Sequence, residues 1–439
     1  MNKKLCAASF LMACSILALN SQTCFAEEAA ELSGTISIYA SGTSAKGIQA
    51  AFEGYQVQHP DVELEISNFE TVTDFETMMT TAISSDTLPD MYIAQVGAVE
   101  QQYAIQGYLM NLSDTGVMDN LVNGDTSLIT YEEGYFAFPM TTAISVTLCN
   151  KAELEKLGIE LTTDNYPTNM DEFIDLLQQC RDAGVEYPFG VAGADSSSCT
   201  AWPFQYIYQV LYGDDPNFYA NVLKGEKAWN GDEFRKMFTD YDRIREYVSP
   251  DSTAKSMDEL YADFIVGDTL FFSQVATTIK SIQELDPETE IVLIPSSFTE
   301  KSENQTLISG FDEAFSITTS AKDPELCVDF LKYITSPEGS TLFDNATGYI
   351  PTVKGCESEV DNAYEIVLDI MQNDKLPNSP ILSRQWIAGF KELLKAGCQN
   401  WLAGEEVDSV VNTIEEDHKR LMEADSDWVQ NFLDSYKWK

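Results

Sequence analysis

The sequence predicts an α/β protein built from more than one domain. Strand–loop–helix–strand order recurs along the chain, which favours parallel sheets flanked by helices. A length of 439 residues suggests two or three domains, at roughly 100–200 residues each. With 44% apolar and 22% charged residues, the composition supports large buried cores rather than disorder. No low-complexity linker and no solenoid-period repeat interrupts the chain, so short crossings of main chain are expected to join the domains.

The first segment reads as an address rather than as fold. Lys3 and Lys4 precede an apolar run over 5–19, shorter than the about 20 residues a membrane span needs. A small-residue site, Cys24-Phe25-Ala26, then meets Glu27 and Glu28. Residues 1–26 are therefore expected to be a signal peptide, and the protein to be exported and extracytoplasmic. Leu11-Met12-Ala13-Cys14 loosely resembles a lipobox, but the apolar run continues past Cys14. Simple export is favoured and a lipid anchor is left open.

Beyond the leader, 35–39 is a short β-prone run that ends in the loop Ser41-Gly42-Thr43-Ser44. A helical stretch follows over 47–59, closed by Pro60, and Val62, Leu64 and Ile66 then alternate with acids as in a half-buried strand. A helix is expected over 98–106, with Gly107 as its C-cap. Asn169 and Glu172 make a capping-box-like start, after which Phe173, Leu176, Leu177 and Cys180 share one helix face. Asp323 caps Pro324 in the same way, and Leu326, Cys327, Phe330, Leu331 and Ile334 line one side. A further helix begins at Ser336-Pro337-Glu338. Apolar strand candidates occupy 91–94, 144–148, 291–294 and 314–318.

Charge and histidine content exclude several function classes. Against 71 Asp and Glu stand 26 Lys and Arg, a formal net charge of −45. Such a chain lacks the basic footprint of nucleic-acid binding and is repelled by an anionic membrane surface. Its two histidines, His59 and His418, cannot build a His-rich metal site, and each reads as a surface residue. The sequence contains no GxSxG, HExxH, GxxxxGK[ST] or GxGxxG pattern. Ser252-Thr253-Ala254-Lys255 matches SxxK without the KTG element that would give it meaning, and no aspartate-rich calcium loop appears. Outside the leader, Cys149, Cys180, Cys199, Cys327, Cys356 and Cys398 are scattered. Disulfides are permitted, but buried free thiols are expected at least as readily. No catalytic residue, metal or cofactor is expected. A glycosidase would need only two suitably spaced carboxylates, and 71 acids make any one of them uninformative.

What stands out is aromatic and polar content in loops: Trp202 with Phe204, Gln205, Tyr206 and Tyr208; Phe271-Phe272-Ser273-Gln274; Gly310-Phe311-Asp312; and Trp386 after Ser383-Arg384-Gln385. Core packing claims most aromatic residues. Sugars, however, present hydroxyl edges and weakly apolar C–H faces, so their sites pair aromatic surfaces with Asp, Asn, Gln and Ser.

The order of short motifs resembles a known family. These are His59-Pro60-Asp61-Val62, Leu88-Pro89-Asp90-Met91, the Gly-Tyr-Leu-Met-Asn-Leu run at 107–112 and the Gly-Tyr-Phe-Ala-Phe-Pro run at 134–139. Cys149-Asn150-Lys151, 167–173, 264–268, Ser336-Pro337-Glu338 and Gly348-Tyr349-Ile350-Pro351 follow in family order. From about residue 35 onward the chain resembles extracellular solute-binding proteins of family 1, the maltose-binding-protein-like sugar-capturing subunits of ABC importers. It departs from the pattern at 270–274 and at the single Gly310, which leaves substrate identity open.

The resemblance implies a type II periplasmic-binding-protein-like fold, with two α/β lobes joined by three crossings. Placing the crossings near 141–143, 275–279 and 333–337 gives a first lobe of 34–142 plus 278–334. The second lobe is then 144–274 plus 337–439. It further implies a monomer that is not an enzyme and has a carbohydrate ligand, hinge closure and a membrane permease as partner. At strand ends, Ser41, Asp90 and Gln95 are expected as hydroxyl partners from the first lobe, and Thr142 near a crossing. Trp202 and Trp386 are expected as stacking surfaces from the second lobe, with Gln274, Phe311 and Asp312 completing the site. Two alternatives remain: a secreted glycan-processing hydrolase with paired carboxylates, and a binder of another solute, such as a polyamine or metal ion, on the same fold.

Overall fold

A computed structural model describes residues 32–69, 72–195 and 202–435. The leader and Cys199 lie outside the described residues. The first sheet begins with β1 (Gly34–Ser41), β2 (Val62–Phe69) and β3 (Met91–Gln95), which run parallel. Ile36, Ile38 and Ala40 of β1 are fully buried under the helix Ser44–Gln56, whose Ile48, Ala51, Phe52 and Tyr55 face them. In β2, Val62 is buried and Leu64 and Ile66 half-buried, while Glu63 and Glu65 are exposed, so the strand forms a solvated sheet edge.

A small hairpin of β4 (Thr130–Tyr131) and β5 (Gly134–Tyr135) precedes β6 (Phe138–Pro139). After Met140 comes the ten-residue β7 (Thr141–Asn150), buried almost throughout and central to a second sheet. Further along are β8 (Phe271–Val275), β9 (Ile291–Pro295), β10 (Leu307–Phe311), β11 (Glu313–Ile317), β12 (Ile350–Pro351) and β13 (Asn378–Ser379). The first sheet runs β2-β1-β3-β11-β6, with β11 antiparallel to both its neighbours. In the second sheet β8, β9, β10 and β12 all pair antiparallel with β7, and only β13 pairs parallel, with β10. The expectation of parallel sheets thus holds for β1–β3 and fails for the second lobe. There the apolar runs return directly alongside one long central strand.

The chain crosses between the sheets at Met140, at Asp312 and between 348 and 361. The expected crossings at 275–279 and 333–337 are misplaced. Residues 278–311 carry β9 and β10, which are hydrogen-bonded to β7 and belong to the second lobe. The helix Pro337–Thr347 packs on the first lobe against Ser44–Gln56. Gly47 permits this approach, because a Cβ there would sit 2.5 Å from the Phe343 ring and 2.8 Å from Thr347. The crossings are tied together: the Met140 amide donates to the Glu313 carbonyl at 2.8 Å, and the Thr352 hydroxyl to the Pro139 carbonyl at 2.6 Å.

Helix starts follow the capping chemistry. The Asn169 side chain accepts from the Glu172 amide at 3.0 Å, and Asp323 accepts from Leu326 at 3.0 Å ahead of Pro324. Among the described residues, Cys149, Cys180 and Cys327 are buried free thiols and Cys356 is half-buried and free, while Cys398 is buried. His418 is not a surface residue: it is 1% exposed, within 4.5 Å of the Phe390 ring centroid, and 3.4 Å from the Tyr219 hydroxyl. No described helix is long and apolar enough to cross a membrane.

Candidate ligand-binding cleft

A cavity of about 270 Å³ opens where the two sheets meet. Gln95 reaches it from the carboxyl end of β3, the end at which open α/β sheets bind ligands. Asp312 and Glu313 come from the second crossing and Tyr349 from the third. The second lobe supplies Ala143 and Ser145 on β7, Gln274 and Val275 at the end of β8, and Ile381, Ser383, Arg384 and Lys391.

Its aromatic wall is Phe204 and Tyr208, one helical turn apart with ring centroids at 6.1 Å. The helix through 202–206 widens into a π-turn at Ile207–Leu211, a distortion that recurs at functional sites because it re-aims side chains. Neighbouring glutamines hold this helix rigidly. Gln205 donates to the Val146 carbonyl at 3.2 Å, and Gln209 donates to the carbonyls of Ser296 and Thr306 at 2.8 and 2.9 Å.

The polar wall is electrostatically arranged. The Arg384 guanidinium donates to the Gln95 carboxamide oxygen and to the Asp312 carboxylate, so one second-lobe side chain holds the first lobe and a crossing together. Glu313 accepts from the Ser44 hydroxyl, and Thr43 and Tyr349 hydroxyls pair at 2.7 Å. Burial, with neighbouring Asp312 adding to it, pushes the Glu313 carboxyl up to about 7. Burial pulls Lys391 down to about 8, helped by the adjacent charges of Arg384 and Lys395.

A larger groove of about 440 Å³ lies within the second lobe alone, lined by Glu186, Asp251, Lys255, Asp263 and Asp268 among others. Lys255 is ion-paired there with Asp263 and with Asp251 at 3.5 Å. Because only one lobe lines it, a solute in that groove could not bridge two lobes, and the interlobe cavity is the better candidate.

Comparison with known proteins identifies the family. Residues 50–366 match the family model for bacterial extracellular solute-binding proteins. The chain belongs to that family. A multiple sugar-binding protein of Streptococcus mutans is 20% identical over 337 residues, 75% of this chain and 77% of its own. The solved structure of RafE in complex with raffinose superposes with a TM-score of 0.75 at 19% identity, covering 89% of this chain and all of that one. A sugar transporter protein from Bacillus licheniformis in complex with stachyose gives 0.71 at 17% identity, covering 88% and 100%. At these identities the structural likeness shows the fold, the two-lobed type II periplasmic-binding-protein-like architecture.

Membership makes this a solute-binding protein rather than an enzyme, and its cleft can be compared with the residues expected from sequence. Gln95, Gln274 and Asp312 line the cavity. Ser41 ends β1 and is buried outside the lining, although its neighbours Thr43 and Ser44 hold Tyr349 and Glu313. Thr142 lies on β7 one residue before the lining Ala143, and Phe311 packs into the first-lobe core against Gly124.

Three expected contacts are corrected. Asp90 precedes β3, at the amino end rather than the carboxyl end of the strand. It accepts from the Ser37 amide and hydroxyl at 2.8 and 2.6 Å and from the Lys322 amide at 2.8 Å. Burial alone would raise its pKa; these hydrogen bonds outweigh burial and lower it. Trp202 is 2% exposed, stacked on Tyr241 at 3.8 Å in the second-lobe core. Trp386 is also core, edge-on to Phe204 at 5.2 Å, with its indole N–H 3.3 Å from the Tyr212 hydroxyl. Neither indole offers a face to the cavity. Sequence reasoning missed Arg384, Glu313, Tyr349 and Lys391, and chose the wrong members of the run at 202–208.

Proposed function

We propose that this chain is the exported substrate-binding component of an ABC importer, capturing an oligosaccharide between its lobes and delivering it to a membrane permease. The observation that carries this reading is the chemistry of the interlobe cavity. The rings of Phe204 and Tyr208 line it together with polar groups on Gln95, Ser145, Gln274 and Ser383, the combination that carbohydrate recognition requires. Relatives named for sugar binding, and neighbours solved with raffinose and stachyose, support the same ligand class.

Charge argues against a polyamine. Asp312 is neutralised by Arg384 and Glu313 is held by Ser44, leaving no unpaired pair of carboxylates for a cationic solute. No group of three potential metal ligands occurs among the described residues. Hinge closure supplies the mechanism: a solute that contacts both lobes stabilises the closed form, the conformation offered to the permease, and no bond is made or broken. The reading includes a cleaved leader and a monomer.

Isothermal titration and thermal-shift measurements against mono- and oligosaccharides, with polyamines and amino acids as controls, test it. A cognate sugar at 100 times its Kd should stabilise the protein by about 2.7 kcal/mol. Stabilisation by a non-carbohydrate solute, with silence across the sugars, would remove the carbohydrate assignment.

A further inference from the structure

Two cationic groups line the interlobe cavity, and one of them, Lys391, has no partner among the described residues. Arg384 carries five N–H donors in a fixed fork; its terminal nitrogens serve Gln95 and Asp312, while Nε–H is buried without an acceptor among the described residues. Lys391 lines the same cavity, and among the described residues its ammonium has neither a hydrogen bond nor an ion pair. Its position is electrostatically adverse in a second way. It stands in the first turn of the helix Phe390–Leu402, after the uncapped Gly389, where the helix dipole already disfavours a cation. A cation left unpaired in a cleft is costly unless an acceptor arrives.

The carboxylates of the cavity do not supply that acceptor. Asp312 is taken by Arg384, and Glu313 receives the Ser44 hydroxyl. Burial raises the Glu313 carboxyl towards neutrality, whereas Lys391, though lowered to about 8, stays mostly charged at neutral pH. Glu392, Glu76 and Asp312 act on Lys391 without forming an ion pair, and Arg384 and Lys395 oppose them. The net charge of −45 does not bar an anion once inside, because charges more than about 10 Å away are screened at 0.1 M salt.

We infer that the captured solute is an acidic carbohydrate, one whose sugar carries a carboxylate that seats against the Lys391 ammonium. This rests on the carbohydrate reading above and deepens it: a neutral sugar would meet the aromatic wall but leave the Lys391 ammonium without a matching charge. Charge-assisted hydrogen bonds are roughly twice as strong as neutral ones, so the carboxylate would dominate selection among sugars of equal size.

Isothermal titration of the mature protein with uronic-acid disaccharides, their methyl esters, the corresponding neutral disaccharides and O-sulfated disaccharides tests the inference. The acids should bind about tenfold or more tighter than their esters. That preference should shrink as sodium chloride is raised, and Lys391→Gln should abolish it. Esters or neutral disaccharides binding as tightly as the acids would overturn the inference and leave carbohydrate capture standing. Preference for the O-sulfated sugars over the uronates would overturn the carboxylate assignment. Silence across every saccharide would overturn both readings. The salt titration on the unmodified chain decides the matter even if the variant folds poorly.

Discussion

Arg384 of the second lobe donates a hydrogen bond to Gln95 at the end of β3 in the first, across 289 positions of sequence. The same guanidinium pairs with Asp312 at a crossing. One side chain therefore reports whether the cleft is shut.

Replacing Arg384 with Gln should weaken ligand binding by about 10- to 100-fold, since a hydrogen bond to a charged group contributes roughly 1.5–3 kcal/mol. Its side chain is 12% exposed and Asp312 22%, so solvent screens the pair only partly. Small-angle scattering should show a larger radius of gyration for the variant without ligand. An unchanged radius and affinity would mean that the contact has no part in closure.

Trp202→Ala and Tyr208→Ala should separate core from site. Trp202 is stacked in the second-lobe core, so its loss should cost about 3–5 kcal/mol of stability with little change in the affinity of the folded protein. Tyr208 lines the cavity, and its truncation should reduce affinity as well as stability. Denaturant titrations paired with calorimetry read both quantities.

His418 should make the second lobe sensitive to acid. Burial lowers its pKa to about 4 from an ordinary value of 6.5. Between those values the unfolded chain binds the proton and the folded chain does not. Stability is therefore complete above about 6.5 and declines as pH falls towards 4, by on the order of 3 kcal/mol. Glu313 and Asp344, both raised to about 7 by burial, act in the opposite sense, so the contribution is isolated by comparison with His418→Phe. That variant should show a shallower loss of stability between pH 6.5 and 4 in denaturant titrations.

Gly47→Ala should destabilise the first lobe by about 1–3 kcal/mol, the ordinary cost of overpacking. Its added Cβ would meet both Phe343 and Thr347, forcing the helix Ser44–Gln56 away from Pro337–Thr347, which carries the chain into the third crossing. Thermal melts of the variant measure this directly.

Several individual elements of both lobes were legible because their signals are local. The alternation in β2, the caps at Asn169 and Asp323, and the strand end at Gln95 each depend on a few neighbouring residues. The second sheet was not legible, because antiparallel return to β7 is decided by which distant apolar run fits beside it. The site failed for related reasons. Trp202 and Tyr208 lie on the same short run, and only the helix phase, altered by the π-turn, decides which ring faces the cavity. Asp90 directly precedes the strand expected over 91–94, so sequence order alone sets it at the amino end, away from the carboxyl edge where ligands bind. Arg384 gives no signal in sequence, since its partners Gln95 and Asp312 come from other parts of the chain.

The most direct measurement is a crystal structure of the mature protein grown with the sugar that gives the largest thermal shift. Capture at the lobe interface predicts sugar density bounded by Gln95, Phe204, Tyr208, Gln274 and Arg384, with both lobes in contact. Density in the one-lobe groove around Lys255, or a solute other than a carbohydrate between the lobes, would contradict it.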